Sequence, residues 1–235
     1  MSDRAPTDLY TGGEYAERNP GYHEEDSAWK AERIASLLAR NAVRPATVCE
    51  VGCGAGGVLA HLQPRLPSDV RLTGYEISPE GIRRCGPKAN ERLTYVLGDF
   101  TKLTAPVYDL LLCIDVLEHV EDCRGFARAL RPRAALKLFH IPLELSVYKV
   151  GLPGRILAST RRFGHIHFFT RETALDLLSA TGYEVMDHVL TPCGIACSHT
   201  LEARLGRLPV QCVSWLHAGL AARLFGAHSL LVLAR

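Results

Sequence analysis

A glycine-rich segment, Glu50–Gly57, lies between a short apolar run and a stretch with helical spacing. The apolar run is Ala46–Val51, and Gly56–Leu62 reads as the helix. A continuous apolar run of this length is typical of a buried parallel strand. Glycines let the backbone turn sharply and approach a ligand closely, because no Cβ is in the way. Strand, glycine loop and helix in this order predict an α/β fold with a ligand site at the end of the first strand.

The remainder of the chain continues the alternation of strands and helices. Further strands are predicted at Val70–Glu76, Leu93–Leu97, Tyr108–Ile114, Ala134–Ile141, Tyr183–Leu190 and Ser229–Ala234. Helices are predicted to begin at Ser78 and to cover Glu118–Leu130 and Ala174–Ala180, whereas 142–169 reads as an irregular segment. This alternation predicts a doubly wound, Rossmann-like sheet of seven strands with helices on both faces and ligands at the carboxyl ends of the strands.

Composition limits the functional classes. The 235 residues suit one domain with modest additions, and a net charge of 27 − 25 = +2 argues against binding nucleic acid mainly through bulk charge. The eight cysteines are interpreted as reduced, because the chain is not a small secreted scaffold. Cys193, Cys197 and His199 have a loosely metal-like spacing that is interpreted as coincidence. With no apolar leader, and with Arg223 inside its most apolar window, the chain is expected to be cytoplasmic and not to enter a membrane.

The glycines alone do not distinguish between ligands. Gly52, Gly54 and Gly57 also satisfy the dinucleotide pattern G-x-G-x-x-G, and Glu76 follows 19 residues later. Glu50, however, precedes the first glycine by two residues, where a pyrophosphate-binding loop would gain nothing from a carboxylate. An acid at this place suits a ligand that carries an ammonium group and no phosphate.

Two further segments follow the third and fourth predicted strands. Asp99 and Phe100 would offer an acceptor to an adenine amine and an aromatic face to its ring. Asp115-Val-Leu-Glu118-His119-Val follows the fourth strand. Because the carboxyl ends of parallel strands lie at one edge of the sheet, these segments are expected near the glycine loop.

This ordered set resembles the class I S-adenosylmethionine-dependent methyltransferases, well over residues 46–141 and more loosely over 164–190. The resemblance implies S-adenosylmethionine as cofactor and an antiparallel last strand. It also implies that the glycine loop lines the methionine part, that Glu76 holds the ribose, and that Asp99 accepts from the adenine amine with Phe100 beside the ring. The predicted cofactor-binding residues are Glu50, Gly52, Cys53, Gly54, Gly56, Glu76, Ile77, Asp99, Phe100 and Asp115.

Two subgroups of this family share an acid-x-x-Glu-His cluster and a histidine-bearing loop, here the segment with His165 and His167. They are the quinone-biosynthesis O-methyltransferases and the small-RNA 2′-O-methyltransferases. The predicted catalytic residues are His119, Glu118 and His165. In the RNA group these positions hold magnesium, so Asp115, Glu118, His119 and His165 are candidate ligands of a divalent metal such as Mg²⁺. Asp115 replaces the family's glutamate, and a metal-free site with His119 or His165 as general base is the alternative.

Residues 1–33 are predicted to form an N-terminal cap, and 34–235 a methyltransferase domain with cleft-covering insertions at about 142–169 and 191–227. Tyr15, Tyr22, His23 and Lys30 are the cap residues expected to contact the site. The predicted reaction is O-methylation of a hydroxyl on a small metabolite such as a sugar, phenol or natural product. The alternatives are an RNA 2′-O-methyltransferase, a non-catalytic cofactor-binding partner subunit and an NAD-dependent oxidoreductase. The acceptor, the atom methylated and the oligomeric state stay open.

Overall fold

The computed structural model describes residues 8–192 and 208–235, and its centre is a seven-stranded sheet. The strands are β1 (Thr47–Val51), β2 (Arg71–Glu76), β3 (Leu93–Leu97), β4 (Tyr108–Ile114), β5 (Ala134–Pro142), β6 (Val185–Thr191) and β7 (Ser229–Ala234). Their order across the sheet is β3-β2-β1-β4-β5-β7-β6. The first five strands pair in parallel, whereas β7 runs antiparallel to both β5 and β6. The predicted Rossmann-like sheet with an antiparallel last strand is therefore confirmed.

Eleven α-helices lie in the described residues. They are α1 (Asp8–Thr11), α2 (Glu14–Arg18), α3 (Ser27–Arg40), α4 (Gly57–Leu62), α5 (Pro79–Cys85), α6 (Cys123–Leu130), α7 (Val147–Gly151), α8 (Arg155–Phe163), α9 (Arg171–Ala180), α10 (Leu208–Leu216) and α11 (Ala218–Phe225). Short 3₁₀ turns occupy Glu24–Asp26, Gln63–Arg65, Gly86–Lys88, Leu117–His119 and Arg131–Arg133.

The central strands are buried on both faces, which is why they read as continuous apolar runs. Successive side chains of a strand point to opposite faces, so Leu111 joins one hydrophobic cluster while Leu110 and Leu112 join the other. The first cluster includes residues of α6, α9 and α11, and the second includes residues of α3 and α4. The sheet is thus enclosed by two helical layers.

Two predicted elements differ from the structure. The helix expected over Glu118–Leu130 begins only at Cys123, because the Asp122 side chain accepts a hydrogen bond from the Gly125 backbone N–H and caps it there. The residues before it form the 3₁₀ turn Leu117–His119. The segment 142–169, expected to be irregular, contains helices α7 and α8.

The predicted boundary between cap and domain falls inside one continuous helix. α3 spans Ser27–Arg40, and its Ala31, Ile34 and Leu37 are buried in the core. The segment that could act as a cap therefore ends at about residue 26. The insertion expected at 191–227 lies partly outside the described residues, as do residues 1–7, Cys193, Cys197 and His199. None of the helices in the described ranges has the length and apolar character needed to cross a membrane.

Candidate active site

A cavity of about 600 Å³ opens at the carboxyl ends of the central strands, beside the glycine loop. The loop can form because Gly52 and Gly56 adopt left-handed backbone angles, with φ of 70° and 78°. A Cβ at Gly52 would lie 2.7 Å from the Val116 side chain, and one at Gly56 would lie 2.6 Å from the Tyr95 ring. The loop therefore packs too closely against its neighbours for larger residues. Gly52, Cys53 and Gly54 line the cavity.

Glu50 contributes a buried carboxylate to the cavity wall. It is 2% exposed, and its Oε2 has no hydrogen-bond partner among the described residues. Burial raises the pKa of Glu50 well above its ordinary value. A buried acceptor without a partner is costly, so a cationic donor from a ligand would stabilise it. Binding of the methionine ammonium by Glu50 stays a prediction.

Glu76 lies at the end of β2 and holds the loop in place. Its Oε2 accepts from the Gly54 N–H and its Oε1 from the Ser78 N–H, both at 2.8 Å. Burial raises the pKa of Glu76, although these backbone hydrogen bonds act in the opposite direction. Ile77 lines the cavity next to it. Binding of ribose hydroxyls by Glu76 stays a prediction, as does the contact of Ile77 with the cofactor.

The residues expected to contact adenine, Asp99 and Phe100, differ in their surroundings. The Asp99 side chain bonds to Thr101 and pairs with Lys102 at the surface, and its role stays a prediction. Phe100 is 2% exposed and lies in the core, between the Tyr75 ring and the Arg133 guanidinium. The contact of Phe100 with the adenine ring stays a prediction.

Asp115, a predicted cofactor contact and metal ligand, contacts two basic side chains. Its backbone is left-handed, with φ of 54°, and it connects three elements. Oδ1 lies 2.6 Å from His140 Nδ1 on β5, and Oδ2 lies 2.8 Å from Lys30 Nζ on α3. Although burial alone would raise it, His140 and Lys30 hold the pKa of Asp115 below its ordinary value. The group of ligand atoms that lie within 4.8 Å of one another comprises Glu118, His119 and His165 and does not include Asp115; metal binding by Asp115 stays a prediction.

Glu118 is the most enclosed acid of the site. It is 0% exposed, and neither carboxylate oxygen has a hydrogen-bond partner among the described residues. Burial, and then the charge of Asp115, raise the pKa of Glu118 well above its ordinary value. Its backbone carbonyl accepts from the N–H groups of Ile166 and His167, at 2.8 and 3.1 Å. These bonds bring the histidine-bearing loop over the turn that follows β4.

His119 lies beside Glu118, with Nε2 3.9 Å from Glu118 Oε1. Its Nδ1 lies 2.7 Å from the Tyr10 hydroxyl and 3.3 Å from the Gly164 carbonyl. Burial, with a contribution from His165, lowers the pKa of His119 to about 4. The imidazole is therefore neutral at physiological pH.

His165 is oriented by a carboxylate. Its Nδ1 lies 2.5 Å from Glu144 Oε2, which leaves Nε2 as the other ring nitrogen for the cavity. Glu144 also contacts Lys149 and accepts from the Ser159 hydroxyl at 2.9 Å. Burial would raise the pKa of Glu144, but His165 and Lys149 hold it at about 2. An ionised carboxylate on Nδ1–H fixes the tautomer in which Nε2 accepts a proton.

The two histidines of the loop after α8, His165 and His167, have different neighbours. The ring centroids of His119 and His165 lie 4.8 Å apart, in an edge-to-face arrangement. His167 Nε2 instead lies 2.8 Å from the backbone carbonyl of Val120. The ligand atoms of Glu118, His119 and His165 lie within 4.8 Å of one another. These three are the predicted catalytic residues, and the fold brings them together.

The N-terminal segment covers this cluster. Tyr15, Tyr22, His23 and Lys30, the expected contacts, all line the cavity. Tyr10, which contacts His119, was not among the predicted site residues, because no local pattern indicates a contact across 109 residues. Glu144 and His140 were also missed. Two signals in the sequence could have indicated them: Glu144 is an acid two residues after the fifth strand, and His140 is a histidine near the end of that strand.

The comparisons with known proteins agree with this geometry. The sequence profile of a family described as a methyltransferase domain matches residues 22–188. Ajmaline N-methyltransferase from Rauvolfia serpentina is 29% identical over 44% of this chain and 39% of its own length. The mitochondrial ubiquinone biosynthesis O-methyltransferase from Schizosaccharomyces pombe is 34% identical over 37% of this chain and 33% of its own length. The chain thus spans well under half the length of these curated relatives.

Two solved structures have the same fold. Magnesium protoporphyrin IX methyltransferase from Synechocystis PCC 6803, with bound S-adenosylmethionine, aligns over 100% of this chain and 99% of its own, with a TM-score of 0.60 and 15% identity. A putative sarcosine dimethylglycine methyltransferase from Galdieria sulphuraria aligns over 87% and 83%, with a TM-score of 0.61 and 17% identity. With the family profile over most of the chain, these findings lead to one conclusion: the chain belongs to the class I S-adenosylmethionine-dependent methyltransferases.

Proposed function

We propose that this chain transfers a methyl group from S-adenosylmethionine to a hydroxyl oxygen of a small metabolite, with His165 as the general base. The observation that carries the proposal is the His165–Glu144 pair, in which a carboxylate ionised at neutral pH lies 2.5 Å from the imidazole Nδ1. An oriented imidazole with a free Nε2 is suited to removing a hydroxyl proton.

The cofactor and the protein divide the chemistry between them. When bound, S-adenosylmethionine supplies a methyl group on a sulfonium, so that a C–O bond forms as the C–S bond breaks and its electron pair returns to sulfur. Glu50 would hold the ammonium and Glu76 the ribose of this cofactor. His165 Nε2 would take the hydroxyl proton, while Glu118 and His119 border the acceptor. Tyr10 and Tyr15 would keep water out of the cavity.

A divalent metal on Glu118, His119 and His165 is a second hypothesis, since their ligand atoms approach one another within 4.8 Å. Such an ion would acidify substrate hydroxyls as a Lewis acid. The Glu144 carboxylate on the other nitrogen of His165 is compatible with either role. Chelation followed by readdition of Mg²⁺ separates the two hypotheses. The metal-free proposal requires full activity after chelation.

Methylation of nitrogen is the other candidate that a finding favours, because the ajmaline and norajmaline N-methyltransferases of Rauvolfia serpentina are among the relatives. A role on RNA is less compatible with the acidic side chains around the cavity. The proposed location of the reaction is the cytoplasm.

The test is a methyl-transfer screen of a metabolite library with S-adenosylmethionine labelled as CD₃. Tandem mass spectrometry of the product locates the label. The proposal predicts that the label lies on oxygen. A label on nitrogen would contradict it in favour of N-methylation, and transfer only to RNA would support the nucleic-acid alternative. Tight cofactor binding without transfer to any compound would favour a non-catalytic partner subunit.

A further inference from the structure

The part of the cavity beside Glu118 and His119, which we call its acceptor half, has a wall of aromatic side chains. Each of these side chains contacts the next, and the last contacts the first. The members of this wall come from the N-terminal segment, from the turn after β4, and from the end of α8 and the loop after it, and all of them line the cavity. We call it the aromatic wall, and its residues are Tyr10, Tyr15, His23, Phe163, His165 and His119. In this order, closing on Tyr10, the centroid distances are 4.9, 6.5, 5.4, 5.5, 4.8 and 5.6 Å.

The charge of the cavity wall differs from that of the chain. The chain has a net charge of +2, but the described residues that line the cavity include nine acids and, as lysine or arginine, Lys30 alone. Lys30 pairs with Asp115 at 2.8 Å. Two of the nine acids, Glu50 and Glu76, are assigned to the cofactor, which leaves seven acids for the remaining wall.

Glu118 is the acid that points to a ligand. It is fully buried and lines the cavity, and both of its carboxylate oxygens lack a hydrogen-bond partner among the described residues. A buried acceptor pair in this state costs free energy until a donor arrives. His119 Nε2, 3.9 Å from Glu118 Oε1, is a second acceptor or donor facing the same space.

We propose that the acceptor carries an ammonium group beside its reacting hydroxyl, and that the ammonium binds between the Glu118 carboxylate and the aromatic wall. Aromatic faces attract cations through the negative charge above the ring, most strongly where water is excluded. A carboxylate supplies the hydrogen-bond acceptors that an ammonium requires. The substrate class is therefore an amino alcohol, amino sugar or phenolic amine, and anionic acceptors are disfavoured. This inference rests on the proposed function for the position of the hydroxyl.

The test is a calorimetric titration with three probes that share one ring and differ in charge: benzylammonium, benzyl alcohol and benzoate. The protein is saturated with S-adenosylhomocysteine, and EDTA is present so that no ion occupies Glu118. We expect benzylammonium to bind at least about fivefold more tightly than benzyl alcohol, and benzoate to bind most weakly. A preference for benzylammonium below about fivefold would overturn the inference.

Matched variants locate the effect. Glu118→Gln should lose the preference for benzylammonium, whereas Glu121→Gln, which removes an exposed carboxylate at the rim of the cavity, should keep it. Tyr15→Leu should weaken the binding of benzylammonium several-fold. Tyr15→Phe should not weaken it, because the phenyl face is preserved. Affinity for S-adenosylhomocysteine reports whether each variant is folded. If Glu118→Gln does not fold, Tyr15→Leu decides, and a retained preference in either folded variant contradicts the inference.

The CD₃ screen distinguishes failure of this inference from failure of the proposed function. Selective binding of benzylammonium with the label on nitrogen would support an ammonium-binding site at Glu118 but refute the reacting hydroxyl, and with it O-methylation. O-methylation of acceptors without an amine, with no preference among the probes, would do the reverse.

Discussion

Glu50 and Glu118 are two buried acids whose carboxylates keep unpartnered oxygens, and such groups are retained where a ligand completes them. Both have raised pKa values for the same first reason, which is burial. Ionising either acid in the empty cavity is unfavourable, and a cation reverses that preference. The two acids therefore identify where positive groups of the cofactor and of the acceptor are expected to bind.

The Glu50→Gln substitution tests the cofactor half. We expect it to weaken S-adenosylmethionine binding by about 10- to 150-fold, because one charge-assisted hydrogen bond contributes about 1.5–3 kcal/mol. The fold should be retained, since glutamine has almost the same shape. Calorimetry measures the affinity, and Glu91→Gln, at an exposed turn position before β3, is the control. Unchanged affinity in Glu50→Gln would contradict the assignment.

His119 predicts how stability depends on pH. Its pKa is about 4 when folded and ordinarily about 6.5, so the unfolded state binds a proton between these values and the folded state does not. The free energy of unfolding should therefore fall as the pH decreases from 6.5 to 4, by about 3 kcal/mol from this residue.

Urea denaturation of the wild type and of His119→Asn across that range measures the effect. The variant should lose less stability than the wild type as the pH falls, whereas His61→Asn, at an exposed position on α4, should follow the wild type. Equal slopes in the wild type and His119→Asn would show that His119 is not held neutral.

At the scale of elements, the N-terminal segment and α8 form one cover over the cavity. The Arg18 guanidinium donates to the Arg161 carbonyl at 2.9 Å, and the Asn19 side chain donates to the Arg162 carbonyl at 3.3 Å. Tyr10 then reaches His119 below. The N-terminal segment and α8 are thus held together by hydrogen bonds, and neither is part of the sheet.

Deleting residues 1–26 should therefore leave the sheet folded and reduce turnover strongly. α3 and its core contacts stay in place, but water enters the cavity and the acceptor is less well positioned. Circular dichroism checks the fold, and methyl transfer to the acceptor found in the screen checks the activity. The Tyr10→Phe variant, which removes only the hydroxyl near His119, should be affected less. Full activity of the truncated protein would show that the segment is not a cap.

Elements with strong local patterns could be predicted closely, and contacts between distant segments could not. β3, β4 and β7 have the predicted bounds, because their apolar runs are bordered by turn residues. The helix after β4 was predicted too early, since the capping role of Asp122 was not recognised. The burial of Phe100 and the Glu144–His165 pair depend on packing and on chain segments 21 or more residues apart. Periodicity carries no information on such pairs.

At the scale of the whole molecule, the sheet order explains the place of the site. β1 lies between β2 and β4, so the connection from β1 to β2 and the connection from β3 to β4 run to opposite sides of β1. This opens a crevice at the carboxyl end of β1. Glu50 and the glycine loop occupy this crevice. The turn after β4 and the segment after β5 bring Glu118, His119 and Glu144 to the same edge. The fold thus brings the residues proposed to bind the cofactor and those proposed to bind the acceptor to one cavity.

The most direct test of this account is the single-turnover rate of methyl transfer, with the acceptor found in the screen, for the wild type, His165→Gln and His167→Gln. His167 is the matched control, because its side chain bonds to a backbone carbonyl and a glutamine can keep that bond. We predict that His165→Gln lowers the rate by about 10²- to 10⁴-fold with unchanged affinity for S-adenosylmethionine, while His167→Gln stays near the wild type. A His165→Gln rate equal to that of the wild type would contradict the account.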